Sequence, residues 1–155
     1  MKYEIWRDIP NYEGLYQASN LGRIKRLTTF RTNNLTGGKS IYKEHILKPQ
    51  INGNEYYYVI LCKQSIASKK YIHRLVAETF IDNIYNYPQV NHINGQKKDN
   101  NVANLEWCTR EYNMNHAYEN KLIQLHTQKR KESQLKNIAI ARKHKKRKKE
   151  ILCIE

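Results

Sequence analysis

The sequence predicts an α+β fold: a small N-terminal antiparallel β region, a mixed central core and a C-terminal basic helical arm. Three patterns indicate this class. Short runs of alternating polar and apolar residues occupy the first part of the chain, as expected of half-buried strands. Apolar residues at helical spacing replace this alternation over residues 71–81. Lysine and arginine then dominate from about His126 to Lys149, with few turn residues.

Composition limits the classes of protein to which the chain can belong. Its 155 residues can bury one modest core or two small subdomains. The formal net charge of +14 favours a polyanionic partner, most commonly nucleic acid, and leaves a ribosome-associated protein or a membrane-surface binder as alternatives. No window approaches the ~18 apolar residues of a membrane span. Three scattered cysteines (Cys62, Cys108, Cys153) argue against a disulfide framework or zinc knuckle and favour the cytoplasm.

The N-terminal strands are recognised by alternation and by turn residues. Residues 15–18 and 23–27 are short strands divided by a turn at 20–22, and a polar, glycine-containing loop follows at 32–40. Residues 46–48 and 56–61 flank Asn52-Gly53-Asn54, which predicts a hairpin because asparagine and glycine tolerate positive φ.

A change of period marks the central core. Ile72, Leu75, Val76 and Phe80 recur at helical spacing, which predicts an amphipathic helix. Pro88 ends the loop that follows and biases its neighbour toward extended geometry, so that residues 89–92 open a strand.

The residues that suggest a reaction lie between Val90 and Ala117. His92 precedes the Asn94-Gly95 turn, where a histidine near its ordinary pKa could take a proton from water. Asn104 lies on the return segment, where an amide could bridge the two arms. Asn113 lies in the first turns of a helix for which Thr109 is the N-cap. A hard cation needs only one or two protein oxygen ligands when a phosphate supplies others.

Each of these residues also has a purely structural interpretation. A single histidine beside a turn is more often a packing residue than a base, Asn94-Gly95 alone indicates only a turn, and Trp107 is typical of a core. The ordered set is what favours hydrolysis of a phosphodiester.

Two motifs in this order resemble a known family. The central segments resemble the HNH homing endonucleases of phages and their introns, and the N-terminal segment is similar to the small modular domain that commonly precedes that nuclease. The segments that carry the resemblance are EIWRDI and YEGLYQASNLGRI (residues 4–24), YIHRLVA (71–77), VNHING (90–95), NLEW (104–107) and Asn113.

The resemblance implies a ββα-metal (His-Me finger) HNH core that uses one Mg²⁺ or Mn²⁺ ion per active site. By position, His92 would be the general base, Asn104 the residue that braces the loop, and Asn113 a metal ligand from the helix. Asn91 would be the second metal ligand, where many members have aspartate. Because an amide oxygen holds Mg²⁺ less strongly than a carboxylate, we expect weak metal affinity or better activity with Mn²⁺; saturation at micromolar Mg²⁺ would contradict this.

The same resemblance implies that specificity comes from the flanking parts. Arg23 and Lys25 would share one face of a strand able to enter a DNA groove, although a solvated edge strand is an equal alternative. The candidate DNA contacts are Arg23, Lys25, Arg26, Arg74, Lys97 and Lys98. Residues 149–155 look like the opening strand of a helix-turn-helix repeat, so we expect a truncated or reduced nuclease with looser target specificity.

These inferences predict three regions: a modular DNA-binding β domain over residues 1–50, an HNH nuclease domain over 51–122, and a basic arm or linker over 123–155. The leading hypothesis is a monomeric, metal-dependent endonuclease that cuts or nicks double-stranded DNA in the cytoplasm of a bacterial host. The first alternative is a catalytically decayed DNA-binding protein, which Asn91 keeps open. A basic RNA-associated protein would explain the charge but not the order of His92, Asn104 and Asn113.

Overall fold

The computed structural model of the chain describes residues 3–32, 37–120, 132–133 and 135–136. Two compact units are present, Met1–Asn113 and Met114–Glu155. The strands are β1 (Trp6–Asp8), β2 (Tyr16–Ser19), β3 (Ile24–Arg26), β4 (Thr29–Thr32), β5 (Lys39–Tyr42), β6 (His45–Ile46), β7 (Gln50–Ile51), β8 (Tyr57–Lys63), β9 (Ile66–Tyr71), β10 (Gln89–His92) and β11 (Leu105–Cys108). The helices are α1 (Ile72–Phe80) and α2 (Arg110–Glu119), with a 3₁₀ turn at Val102–Asn104.

The strands form four small antiparallel sheets within the described residues. The first has the order β1-β2-β3-β6, the second is the β4-β5 hairpin, the third has the order β7-β8-β9, and the fourth is the β10-β11 pair. Together with α1 and α2, these sheets confirm the predicted α+β class. The predicted basic helical arm lies almost wholly outside the described residues; Glu132, Ser133, Leu135 and Lys136 within it have helical backbone.

The local predictions for the N-terminal strands are confirmed in type and corrected in extent. The turn at residues 20–22 joins β2 to β3 as predicted. The hairpin around Asn52 to Asn54 also forms, but its first strand is Gln50–Ile51, whereas Ile46 pairs with Lys25 in the first sheet. The predicted loop at 32–40 is shorter, because Thr32 and Lys39 already pair across the second hairpin. A partner distant in sequence therefore displaced the first boundary, and extension of a local hairpin displaced the second.

One hydrophobic core joins the N-terminal sheet to the central helix. Its fully buried members come from β2, β3, β8, α1 and β11 and from the first loop, and they are Ile9, Tyr16, Ala18, Ile24, Val59, Leu61, Ile72, Leu75, Val76 and Leu105. Helix α1 is amphipathic as predicted, and it buries His73 in addition to its apolar face. The first two predicted domains thus contribute to a single core, and their boundary at residue 50 stays a prediction from sequence.

Gly22 packs closely against the loop that follows β10. Its φ is +84°, and a Cβ added there would lie 2.8 Å from both the Cβ and the backbone oxygen of Asn100. The neighbouring Asn20 carbonyl accepts a hydrogen bond from the Val102 amide at 2.9 Å. The turn between β2 and β3 therefore packs against the loop whose Asn100 side chain contacts His92.

This contact makes Gly22→Ala a specific probe. We expect a loss of about 2–5 kcal/mol in the free energy of unfolding, because left-handed backbone costs an alanine roughly 1–2 kcal/mol and overpacking adds roughly 1–3 kcal/mol. Gly14→Ala is the matched control, because Gly14 has a φ of +69° and nothing lies within 4 Å of an added Cβ. Denaturant unfolding measures both variants. Equal losses would show that the Asn100 contact carries no energy.

No helix in the described part of the chain is long and apolar enough to cross a membrane.

Candidate active site

The β10-β11 pair presents His92 at the end of a strand. β10 runs antiparallel to β11, with His92 opposite Leu105, and the Gly95 amide then closes the turn on the His92 carbonyl at 2.8 Å. Gly95 has a φ of +70°, a conformation that favours glycine. Because Leu105 belongs to the core, the His92 ring on the same face is buried as well.

Hydrogen bonds determine which nitrogen of His92 carries the proton. Its Nε2 lies 3.2 Å from the side-chain oxygen of Asn100, whose amide nitrogen donates to the Lys98 carbonyl at 3.3 Å. Asn100 therefore offers an acceptor, and Nε2 must donate to it, which leaves the Nδ1 lone pair available as a base. Burial lowers the pKa of His92 below its ordinary value of 6.5, and the Asn100 hydrogen bond and the Asp99 carboxylate partly offset this effect. The ring is thus neutral at pH 7.

Asn104 ties together the two ends of the loop after His92. Its side-chain oxygen accepts from the Asn94 amide at 2.9 Å, and its side-chain nitrogen donates to the Asp99 carbonyl at 2.8 Å. Its backbone oxygen also accepts from Ile93 at 2.9 Å. These are the bonds that a bracing residue requires, although its contribution to activity stays a prediction.

Asn91 and Asn113 belong to the opposite face of the hairpin. Asn91 is paired with Glu106 in the strand register, and its side-chain nitrogen donates to Glu106 Oε1 at 2.8 Å. Asn113 donates in the same way to the side-chain oxygen of Gln89 at 2.7 Å. Gln89 and Asn91 share a face because they are two residues apart on one strand. We call these four residues (Gln89, Asn91, Glu106, Asn113) the oxygen cluster.

The predicted site residues therefore form two groups rather than one. Pairing is regular through His92, so His92 and Asn91 point to opposite faces and contact different residues. Nowhere in the described residues do three or more histidine, cysteine, aspartate or glutamate side chains form a metal-binding group. The oxygen cluster nevertheless offers amide and carboxylate oxygens, which are the ligand types that Mg²⁺ and Mn²⁺ prefer. The donor set therefore fits such an ion.

The predicted DNA contacts in the first sheet already have partners. Arg23 forms an ion pair with Glu4, and Lys25 lies 3.4 Å from Glu44. Both cations lie over the ring of Trp6, so they share a face as predicted. DNA binding there would have to compete with these carboxylates, and the role stays a prediction. Arg26 lies over another ring, that of Tyr42, at 4.4 Å.

The remaining predicted DNA contacts lie around the β10-β11 pair. Arg74 donates to the Pro88 carbonyl at 3.1 Å and lies over the Trp107 ring. Lys97 donates to the Asn54 carbonyl at 3.2 Å. Lys98 is exposed on the loop that follows His92. Arg74 and Lys97 thus also have structural partners, and each role in DNA binding stays a prediction.

Sequence reasoning missed three residues next to the candidate site: Asn100, Glu106 and His73. Asn100 lies within a polar run (residues 99–101) that is typical of any surface loop. Glu106 lies inside the NLEW segment (residues 104–107), in which Asn104 and Trp107 were the residues interpreted. His73 is one turn from apolar helix positions, and its ring lies 5.2 Å from that of His92. Their proximity arises from folding between separate elements. The one available signal was the presence of unexpected polar residues beside core positions.

His73 makes stability depend on pH. Burial, followed by the charges of His92 and Arg74, lowers its pKa from 6.5 to about 3, and its buried Nδ1 has no hydrogen-bond partner in the described structure. Its other ring neighbours are Tyr56 at 5.0 Å and Tyr71 at 5.7 Å. Between pH 6.5 and 3 the unfolded chain binds a proton that the folded chain excludes. Stability is therefore complete above pH 6.5 and falls as the pH is lowered through this window.

We expect a slope of up to about 1.4 kcal/mol per pH unit from this residue. His73→Gln removes that part of the slope, whereas His45→Gln, at an exposed histidine of β6, leaves it unchanged. His92 contributes in the same direction, so some slope persists in His73→Gln. Urea unfolding at pH 7 and pH 5 measures the difference. A wild-type slope retained in His73→Gln would contradict the assignment.

Comparison with known families supports the resemblance seen in the sequence. The NUMOD4 motif matches residues 4–62, and an HNH endonuclease model matches residues 70–115. The chain therefore contains an HNH endonuclease domain preceded by a NUMOD4 motif.

Viral and phage proteins are among its relatives. It is 42% identical over 127 residues to the protein named uncharacterized HNH endonuclease L247 of Acanthamoeba polyphaga mimivirus, covering 79% of this chain and 28% of that protein. It is 32% identical over 109 residues to the DNA endonuclease I-HmuI of Bacillus phage SP01, covering 70% of this chain and 55% of that protein. A solved structure that concerns DNA binding and cleavage by the HNH homing endonuclease I-HmuI matches this chain with a TM-score of 0.60 and 30% identity. The match covers 76% of this chain and 59% of that one. The chain is homologous to I-HmuI and spans little more than half of its length.

Proposed function

We propose that the chain is a metal-dependent endonuclease that hydrolyses phosphodiester bonds in double-stranded DNA as a monomer. The observation that carries the proposal is the buried, neutral His92, with its Nε2 held by Asn100 and its loop tied by Asn104. A histidine in this state needs no further change to accept a proton. The net charge of +14 supports a nucleic acid as the substrate.

In the proposed reaction, His92 Nδ1 takes a proton from a water molecule as the water oxygen attacks phosphorus. As the new bond forms, the bond from phosphorus to the leaving oxygen breaks; that oxygen keeps the electron pair and takes a proton from solvent. Asn100 holds the imidazole so that Nδ1 stays the basic nitrogen. Asn104 keeps the His92 turn closed while DNA binds, which limits the reorganisation needed to reach a reactive geometry.

The oxygen cluster would hold one divalent ion, with Asn91 and Asn113 as amide ligands. When bound, such an ion stabilises charge on the phosphate and on the leaving oxygen. Because His92 and Asn91 point to opposite faces of β10, a phosphate would have to be within reach of both faces for both residues to contribute. We keep the expectation that the amide at Asn91 makes Mg²⁺ binding weak and favours Mn²⁺.

The positively charged residues would hold the DNA backbone. Arg23, Lys25 and Arg26 would contact it from the first sheet, and Arg74, Lys97 and Lys98 from around the hairpin. Phosphate contacts of this kind add affinity with little sequence preference. The recognition of one target would then depend on other contacts.

The test uses the whole chain and supercoiled plasmid DNA. Nicked or linear DNA should form with Mg²⁺ or Mn²⁺, stop forming when EDTA is in excess, and form again when the ion is restored. A gel-shift assay on the same samples measures binding separately. Binding without cleavage in either ion would overturn the nuclease proposal and support a catalytically decayed DNA-binding protein.

A further inference from the structure

Glu106 is the one ionisable member of the oxygen cluster, and its role follows from its contact with Asn91. The two residues are directly opposite each other on β10 and β11. Asn91 is buried, whereas Glu106 is half-buried and open to solvent. The bond from Asn91 Nδ2 to Glu106 Oε1 is 2.8 Å long.

This contact fixes the orientation of the Asn91 amide. An ionised carboxylate only accepts hydrogen bonds, so the nitrogen of the amide must face Glu106 and the oxygen must face away. The bond uses one carboxylate oxygen and leaves Oε2 without this partner. Asn113 has the same arrangement, because its nitrogen donates to Gln89 and its oxygen is left available. Two amide oxygens and one carboxylate oxygen are thus presented on a single face.

The amide side chains of the oxygen cluster carry no negative charge to attract a cation. Neutral amides hold a hard cation less strongly than a carboxylate, and Gln89, Asn91 and Asn113 are all neutral. A carboxylate bonded to a ligand side chain orients that ligand and adds negative charge near the ion, and loss of such a partner typically costs 10–100-fold in affinity.

We propose that Glu106 is part of the metal site: it orients the Asn91 amide and supplies, from across the strand pair, the negative charge that the amides lack. This inference rests on the proposed divalent ion. It predicts that the metal site needs one carboxylate, and that this carboxylate can be at residue 91 or at residue 106.

The test measures Mn²⁺ binding to the full chain without DNA, from the electron paramagnetic resonance signal of free Mn²⁺. We expect Glu106→Gln to weaken binding about tenfold. The matched control is Glu44→Gln, which removes one exposed carboxylate from the loop between β5 and β6 and should leave binding unchanged. The double variant Asn91→Asp/Glu106→Gln should recover affinity to within about threefold of wild type, a result that a purely structural role of Glu106 would not produce.

Glu106→Asp keeps the charge and provides a second variant should Glu106→Gln fail to fold, as judged by circular dichroism. Its Mn²⁺ affinity is compared with that of Asn91→Asp/Glu106→Asn, a double variant that must also be folded and that carries its carboxylate at residue 91. Equal affinities support the proposal. Tighter binding by Glu106→Asp would show that the reach of the side chain, rather than its charge, decides affinity, and would overturn it. If Glu106→Gln bound Mn²⁺ as tightly as the wild type does, this inference would be overturned. Metal-dependent cleavage by the wild type would still support the nuclease proposal in that case. Absence of both Mn²⁺ binding and cleavage in the wild type would overturn both.

Discussion

Replacing His92 with alanine is expected to slow metal-dependent cleavage of DNA by about a thousandfold, within the range of 10²–10⁴ that a positioned general base contributes. The physical reason is the loss of the Nδ1 lone pair, which the bond from Nε2 to Asn100 makes available. DNA affinity should change little, because a buried neutral ring contributes no charge to phosphate binding. The plasmid assay measures the rate, and a gel shift at fixed salt measures affinity.

The matched control is His45→Ala, which removes an exposed histidine from β6. It should cleave at the wild-type rate. If His92→Ala retained more than a tenth of the wild-type rate while folded, His92 could not be the general base. A loss of DNA binding equal to the loss of cleavage would also count against that role.

Asn104→Ala is expected to have the second largest effect, on both stability and rate. The variant leaves the Asn94 amide and the Asp99 carbonyl without their side-chain partner. Each backbone group left unsatisfied costs about 1–3 kcal/mol when fully buried, and because both bonds are only partly buried we expect a total loss of about 2–4 kcal/mol. The turn that carries His92 also loosens, and a displacement near 1 Å lowers a rate by about a hundredfold.

Denaturant unfolding and the plasmid assay, both at a temperature where the variant is folded, separate the two effects. Asn94→Ala is the control in the same turn, because its side chain is exposed and bonds only within the loop, to Asp99 and Gln96. Its loss of stability should be below about 1.5 kcal/mol, because both bonds are exposed and each should contribute near the lower end of the typical range of about 0.5–1.5 kcal/mol. A fully stable Asn104→Ala variant, or one with the wild-type rate, would contradict the bracing role.

The predictions that were confirmed rest on local patterns. The helix at Ile72–Phe80, the strand at Gln89–His92 and the turn at residues 20–22 follow from periodicity and from turn residues within a few positions. Thr109 also caps α2 as expected, since its hydroxyl accepts from the Tyr112 amide at 3.2 Å. Interactions of this range are set by neighbours in the chain, and tertiary packing left them intact.

The strand assignment that was wrong depends on a distant partner. Ile46 was assigned to the hairpin around Asn52, yet it pairs with β3 in the first sheet. Strand pairing of this kind is decided by competition among several edges of similar sequence. Alternation identifies a strand, but it does not identify the partner of that strand.

The sequence alone determined the order of the candidate site: a histidine before a turn, an asparagine on the return segment and another in the helix that follows. Only the tertiary structure decided how these residues are divided between two faces. The connection between β10 and β11 spans residues 93–104, too long for turn geometry to set the register, so the pairing of Asn91 with Glu106 required folding. Burial of His92 between Asn100, His73 and Tyr56 likewise depends on packing among separate elements, because no local pattern records which side chains exclude water from a given ring.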